Sequence, residues 1–152
     1  MLLEVAIANE GDVVILLSRA ARALGAAGVD GVDAASILTV CAELGHNIAR
    51  YGKYGQLRLT VEPTGGGRRI VVEASDHGPG IADVEAAMRD HFSTGNSLGL
   101  GLPGVRRLTD TLEITSRNGC GTRVIATRVL GAGAWPKSAA IPSLGAARRV
   151  QP

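Results

Sequence analysis

One carboxylate and one amide, four residues apart, open the possible chemistry of this chain. Glu43 and Asn47 fall in a helically periodic segment, where Ile37, Val40, Cys41, Leu44 and Ile48 share an apolar face. At about 100° per residue the two polar side chains lie together at the edge of that face. A carboxylate so placed can act as general base toward a hydroxyl or water. The amide oxygen beside it is a hard ligand suited to Mg²⁺, and its neutrality leaves phosphates to supply most of the negative charge. Alone, E-x-x-x-N reads more readily as two solvated helix residues.

Two glycine motifs downstream change that balance. In DHGPGI, Asp76 ends a β-branched run through Ile70, Val71 and Val72, so its carboxylate can stand at the base of a cleft and accept an adenine amino hydrogen. Gly78 and Gly80 then allow a tight turn against the base. The competing reading is an ordinary D-x-G turn. His77 reads as exposed turn filler.

LGLGLPGVRRL is sharper. Gly99, Leu100, Gly101, Leu102 and Gly104 place free backbone amides just before a helix, whose N-terminus offers N–H donors and a positive dipole to phosphate oxygens. Pro103 suits the first turn because its missing N–H is not needed there. Residues 82–98 between the motifs read as a lid, with Ser93, Thr94 and Ser97 either donating to phosphates or turning the chain. Thr122 can offer a hydroxyl on the adenine side, or simply serve strand propensity. A dinucleotide fingerprint would follow the first strand of a βαβ unit, and no GxxxxGK[ST] occurs, so neither a Rossmann nor a Walker pocket fits. The expected ligands are ATP and Mg²⁺.

The elements that must position these groups follow from periodicity. Residues 2–8 read as a strand; Asp12 is placed to cap a helix over Val13 to Leu24, and Asp33 a second helix through Tyr51, with Gly52 beyond its end. QLRLTVE and RRIVVEA form a hairpin across PTGGG, and TLEITSR and TRVIATRVL a second across NGCG. Short helices are expected at DVEAAMRD and over Leu102 to Thr109. The order β-α-α-β-β-α-α-β-β predicts an α/β two-layer sandwich of α+β type, its mainly antiparallel mixed sheet carrying helices on one face. Residues 1–130 are expected to form the domain. Residues 131–152, rich in Gly, Ala and Pro, are expected to be a flexible tail, or else an arm anchored by Trp135.

Composition narrows the setting. The 152 residues, 45% of them hydrophobic, suit one compact domain. Sixteen basic against 14 acidic residues give a net charge of +2, too even to favour nucleic acid. Cys41 and Cys120 form no metal-ligand spacing and point to a reducing cytosol. The acidic, leaderless start and the lack of a long apolar run imply neither secretion nor membrane insertion, so a cytoplasmic location is expected.

Together, ELGHN, DHGPGI, GLGLPG and the GCGT turn resemble the N box and glycine boxes of the GHKL (Bergerat-fold) ATPases over roughly residues 1–130. Within them, NIARYGKYGQ and DHFSTGNSLGLGLPGVRRLTDTLEI are most similar to the RsbT-type switch kinases of bacterial stress signalling and their anti-sigma-factor relatives. The chain departs at His91, where such members carry glycine, and in its longer tail.

That resemblance implies a serine/threonine kinase using ATP and Mg²⁺. It would phosphorylate a small STAS-domain antagonist, with a PP2C-type phosphatase or a sigma factor as further partner. Glu43 would activate the acceptor hydroxyl and Asn47 would ligate Mg²⁺. Asp76, Gly78, Gly80 and Thr122 would hold adenine, and residues 99–104 would wrap the phosphates. Direct transfer of the γ-phosphoryl group is expected. A non-catalytic ATP-dependent binding regulator or anti-sigma factor is the alternative. A histidine-kinase catalytic domain is disfavoured, because no separate helical hairpin presents a phosphoacceptor histidine.

Overall fold

The computed structural model describes residues 1–89 and 101–131, together with the backbone of 148–150. Alternation of apolar and polar residues builds the sheet strands, and the apolar stripes of two long helices cover one face of it. The elements are β1 (Leu3–Ile7), α1 (Glu10–Ala26), α2 (Gly31–Tyr51), β2 (Gly55–Thr64) and β3 (Gly67–Asp76). They continue with α3 (Val84–Ala87), α4 (Gly101–Leu108), β4 (Thr111–Arg117), β5 (Gly121–Leu130) and β6 (Arg148–Val150). The strands lie in the order β1-β2-β3-β5-β4-β6, and each neighbouring pair is antiparallel.

The core is one-sided. Leu57, Leu59, Ile70, Val72, Leu112, Ile114, Val124 and Ala126 point toward Leu16, Leu24, Ile37, Leu44 and Ile48 of the helices, all buried. Residues of opposite parity carry cross-strand ion pairs, Glu4 with Arg58 and Glu73 with Arg123. The expected two-layer sandwich is the observed architecture, and no described helix is long and apolar enough to cross a membrane.

Three local expectations change. The first helix begins earlier than Val13, because Asn9, not Asp12, is its N-cap: Asn9 Oδ1 accepts from Asp12 N–H while Asp12 Oδ2 accepts from Asn9 N–H, a reciprocal capping box. The second helix begins at Gly31 with Asp30 as N-cap. Asp33 sits inside the first turn, where Oδ1 accepts from Nε and Nη2 of Arg128 at 2.9 and 2.7 Å. Finally, Arg148–Val150 of the expected tail pair with β4 as an edge strand. Residues 132–147, including Trp135, lie outside the described residues.

Candidate functional site

The middle of α2 carries an acidic side chain into the core. Glu43 is 1% exposed, an unusual place for a carboxylate unless a partner holds it. Its Oε2 accepts the N–H of Gly101, the first residue of α4, at 3.0 Å. Its Oε1 is buried without a hydrogen-bond partner among the described residues. Asn47, one turn further along α2, is half-buried. The two therefore belong to the protein's interior edge and are not a solvated pair. Gly101, Leu102 and Gly104 lie in the opening turn of α4, Leu102 with its side chain in the core and Gly104 buried. Ser93, Thr94, Gly99 and Leu100 lie outside the described residues, as do His91 and Ser97.

A second cluster forms at the far end of α2, from the sheet. Gly55 of β2 pairs with Asp76 of β3, and Ser116 of β4 pairs with Thr122 of β5. Ser75 pairs with Arg123, so one step further Asp76 stands opposite Thr122. All share the parity of Ala74, Val124 and Ile114, buried beneath the helices. Asp76, Thr122 and Ser116 thus make a polar row on the helix-covered face where the strands end. Gly55 contributes no side chain to it.

Close backbone approach locks the row in place. A Cβ on Gly52, the C-cap just past α2, would lie 2.6 Å from Cβ of Asp76, so glycine lets the helix end against this carboxylate. Gly121, at φ +95, would place a Cβ 2.0 Å from the Asp76 carbonyl oxygen. Asp76 Oδ1 accepts the N–H of Gly78 at 2.9 Å, which closes the start of the DHGPGI turn. Gly80 follows in the left-handed region at φ 81. His77 is exposed and stacks on Tyr54, with ring centroids 4.8 Å apart.

Ser116 did not stand out in the sequence. Its Oγ accepts the N–H of Ile81 at 2.6 Å and lies 3.0 Å from Thr122 Oγ1. The signal was present in the hairpin: alternation in TLEITSR puts Ser116 on the face of Leu112 and Ile114, and counting back across NGCG sets it opposite Thr122.

The two clusters are joined by α2. From Glu43 to Gly52 the helix rises about 13 Å at 1.5 Å per residue, comparable to an extended nucleoside triphosphate. One end offers acceptor and hydroxyl groups suited to a base. The other offers a helix N-terminus, an amide oxygen and a buried carboxylate with one oxygen unpartnered among the described residues. That donor set fits a nucleotide lying along the helix. Among the described residues no three His, Cys, Asp or Glu side chains gather as a metal site. A cation at Asn47 would therefore draw its other ligands from phosphate and water.

Comparison with known proteins identifies the family. A family model described as histidine kinase-, DNA gyrase B-, and HSP90-like ATPase matches residues 32–130, a span holding both clusters. The serine/threonine-protein kinase RsbT of Bacillus subtilis is 41% identical over 96 residues, covering 63% of this chain and 72% of the relative. An anti-sigma F factor of Thermoanaerobacter sp. is 32% identical over 101 residues, covering 64% of this chain and 71% of that protein. Another, from Caldanaerobacter subterraneus subsp. tengcongensis, is 38% identical over 66 residues, covering 41% and 46%.

Proposed function

The chain belongs to the histidine kinase-, DNA gyrase B-, and HSP90-like ATPases, and on that premise we propose that it is an ATP-dependent protein serine/threonine kinase of a bacterial partner-switching pathway. Its substrate is a serine or threonine on a STAS-domain antagonist, and a PP2C-type phosphatase or a sigma factor is a further partner. The observation that carries the reading is Glu43, a fully buried carboxylate tied to the first amide of the phosphate-loop helix. Similarity to a protein named serine/threonine-protein kinase supports the acceptor class. Two free cysteines, Cys41 and Cys120, support a cytoplasmic setting.

In this reading Asp76 keeps Oδ1 on Gly78 N–H and turns its other oxygen to the adenine amino group. Thr122 completes the base side. In the opening turn of α4 the N–H groups of Leu102 and Gly104 donate to phosphate oxygens, and Gly99 and Leu100, which lie outside the described residues, belong to the same proposed set. Asn47 would hold Mg²⁺ through its side-chain carbonyl oxygen. Bound Mg²⁺ supplies charge neutralisation across the phosphates. Gly101 N–H holds Oε2 of Glu43 and so orients the carboxylate, leaving Oε1 to take the proton of the acceptor hydroxyl. As that proton leaves, the hydroxyl oxygen bonds to the γ-phosphorus, the bond to the β,γ-bridging oxygen breaks, and ADP departs.

Replacing Glu43 by Ala tests the assignment with a STAS-domain acceptor and γ-labelled ATP. Label transfer is expected to fall at least about a hundredfold, the scale of general-base catalysis. ADP affinity should change little, because the base end of the site is untouched. Transfer at the native rate would remove Glu43 from its role. The anti-sigma F factor names of the other relatives favour a second reading, an ATP-dependent binding regulator. Under that reading alone, partner regulation with ATP present survives Glu43→Ala although no acceptor is phosphorylated by the native chain.

A further inference from the structure

We propose that Ser116 is a positioning residue for base recognition: it links the Ile81 amide to Thr122 in one hydrogen-bond chain that aims the Thr122 proton at the bound base. This rests on the nucleotide-binding reading above, and concerns a residue that neither glycine motif contains. Among the described residues, three groups lie within hydrogen-bond reach of Ser116 Oγ. Ile81 N–H, at 2.6 Å, can only donate, and the Gly121 carbonyl, at 3.3 Å, can only accept. Thr122 Oγ1, at 3.0 Å, can do either.

Ser116 has one proton to place. If it goes to the Gly121 oxygen, Thr122 can keep its hydrogen bond to Ser116 only by turning its own proton back, and then meets a ligand with lone pairs. If it goes to Thr122, the chain runs Ile81 N–H to Ser116, Ser116 O–H to Thr122, and Thr122 O–H outward. The Gly121 contact is longer than ordinary O–H···O hydrogen bonds, whereas the Thr122 contact lies at their upper end. A ligand acceptor therefore draws the proton order outward at the loss of only the weaker contact. Each bond in such a chain polarises the next, which strengthens Thr122 as a donor.

Position supports the same direction. Thr122 stands between Ser116 and Asp76 in the polar row, with Ser116 on one side and the adenine-amino acceptor on the other. A base held by Asp76 through its amino group presents the neighbouring ring nitrogen, an acceptor, toward Thr122. The row thus offers an acceptor and a donor side by side, the complement of an adenine edge. Ser116 touches no ligand in this scheme and acts through Thr122.

The test is a double-mutant cycle on the full chain, with ADP affinity read by calorimetry for the native protein, Ser116→Ala, Thr122→Val and the double variant. Each single change is expected to weaken ADP by about tenfold, the worth of a hydrogen bond of this kind. In the Thr122→Val background, Ser116→Ala should add less than about twofold. In the otherwise native chain, Ser116→Thr, which keeps the hydroxyl, should bind ADP like the native protein. Additive losses would overturn the inference, because Ser116 would then act only by pinning Ile81. Equal loss in Ser116→Thr would also overturn it. If the alanine variant does not give a native thermal transition, Ser116→Cys, of similar size and a weak donor, completes the same cycle. Absence of ADP binding by the native chain would overturn the nucleotide reading and this inference together; binding with an additive cycle overturns the inference alone.

Discussion

Asn in place of Asp76 alters one functional group, and a proton count gives its effect. In the native chain Asp76 Oδ1 accepts Gly78 N–H, and the second oxygen is again an acceptor. Asn has a single carbonyl oxygen, which the Gly78 amide claims, so the NH₂ group faces the base and meets the adenine amino group donor to donor. The predicted loss in ADP affinity is roughly 10- to 100-fold, the range for a hydrogen bond to a charged group. Inosine diphosphate, with an oxygen where adenine has its amino group, should gain relative to ADP. Calorimetry with both ligands checks the ratio, and an unchanged ratio would place the base elsewhere. Cys41 gives a second residue-scale prediction. Burial pushes its thiol from 9.0 up to about 12. The folded protein holds the neutral thiol while the unfolded chain ionises near its ordinary value, so unfolding releases a proton between these limits. Stability from this group is full below about pH 9 and declines by about 1.4 kcal/mol per pH unit as pH rises toward 12. Urea denaturation at pH 8 and pH 10.5, compared with Cys41→Ala, isolates that slope. At pH 8 a thiol reagent should label exposed Cys120 and leave Cys41 untouched until the protein unfolds.

Between elements, the arginine at position 128 does what no local pattern announces. Its guanidinium donates to Asp33 in the first turn of α2 and, through Nη1 at 2.9 Å, to the Leu108 carbonyl at the end of α4. It therefore ties β5 to the two helices that carry Glu43 and Gly101. Arg128→Ala should cost about 1–3 kcal/mol by chemical denaturation, since it strands the Leu108 carbonyl and removes a charge-assisted contact. It should also loosen the approach of α4 to α2 and weaken ADP binding severalfold; a stable variant with native affinity would show that packing alone sets that approach. The same residue marks the limit of reading elements from sequence. Alternation and helical stripes located every described strand through β5 and the four described helices, because those patterns are local. Asp33 looked like a helix cap since its true partner lies 95 residues away. Asn9 and Asp12 are both cap-forming types, and only their reciprocal bonds show which is which. Glu43, Asp76 and Thr122 were legible through motif chemistry, whereas Ser116 required the register between β4 and β5, which no single segment contains.

At the scale of the molecule, the sheet does not end where the ATPase family match ends at residue 130. β6 adds a strand to the outer edge of β4, with Glu113 in register with Arg149. Three polar residues near that edge, Thr111, Glu113 and Thr127, are buried although their parity turns them away from the helices. An uncovered β4 would present unpaired backbone groups, the kind of edge that invites pairing with another chain. We propose that residues 1–130 form the ATP-binding unit and that the C-terminal segment shields its edge. Removing residues 132–152 should then leave ADP binding within about twofold, because both site clusters lie inside the retained span, but lower stability by roughly 1–3 kcal/mol through lost strand pairing and newly exposed polar groups. Hydrogen exchange should quicken in β4 and remain unchanged in β2, which is paired on both sides by β1 and β3. Sedimentation at rising concentration reads the other consequence: the shortened chain self-associates and the full chain does so less. Equal exchange in β4 and equal association in both chains would mean that this edge needs no cover, and that β6 is an appendage to a sheet already complete.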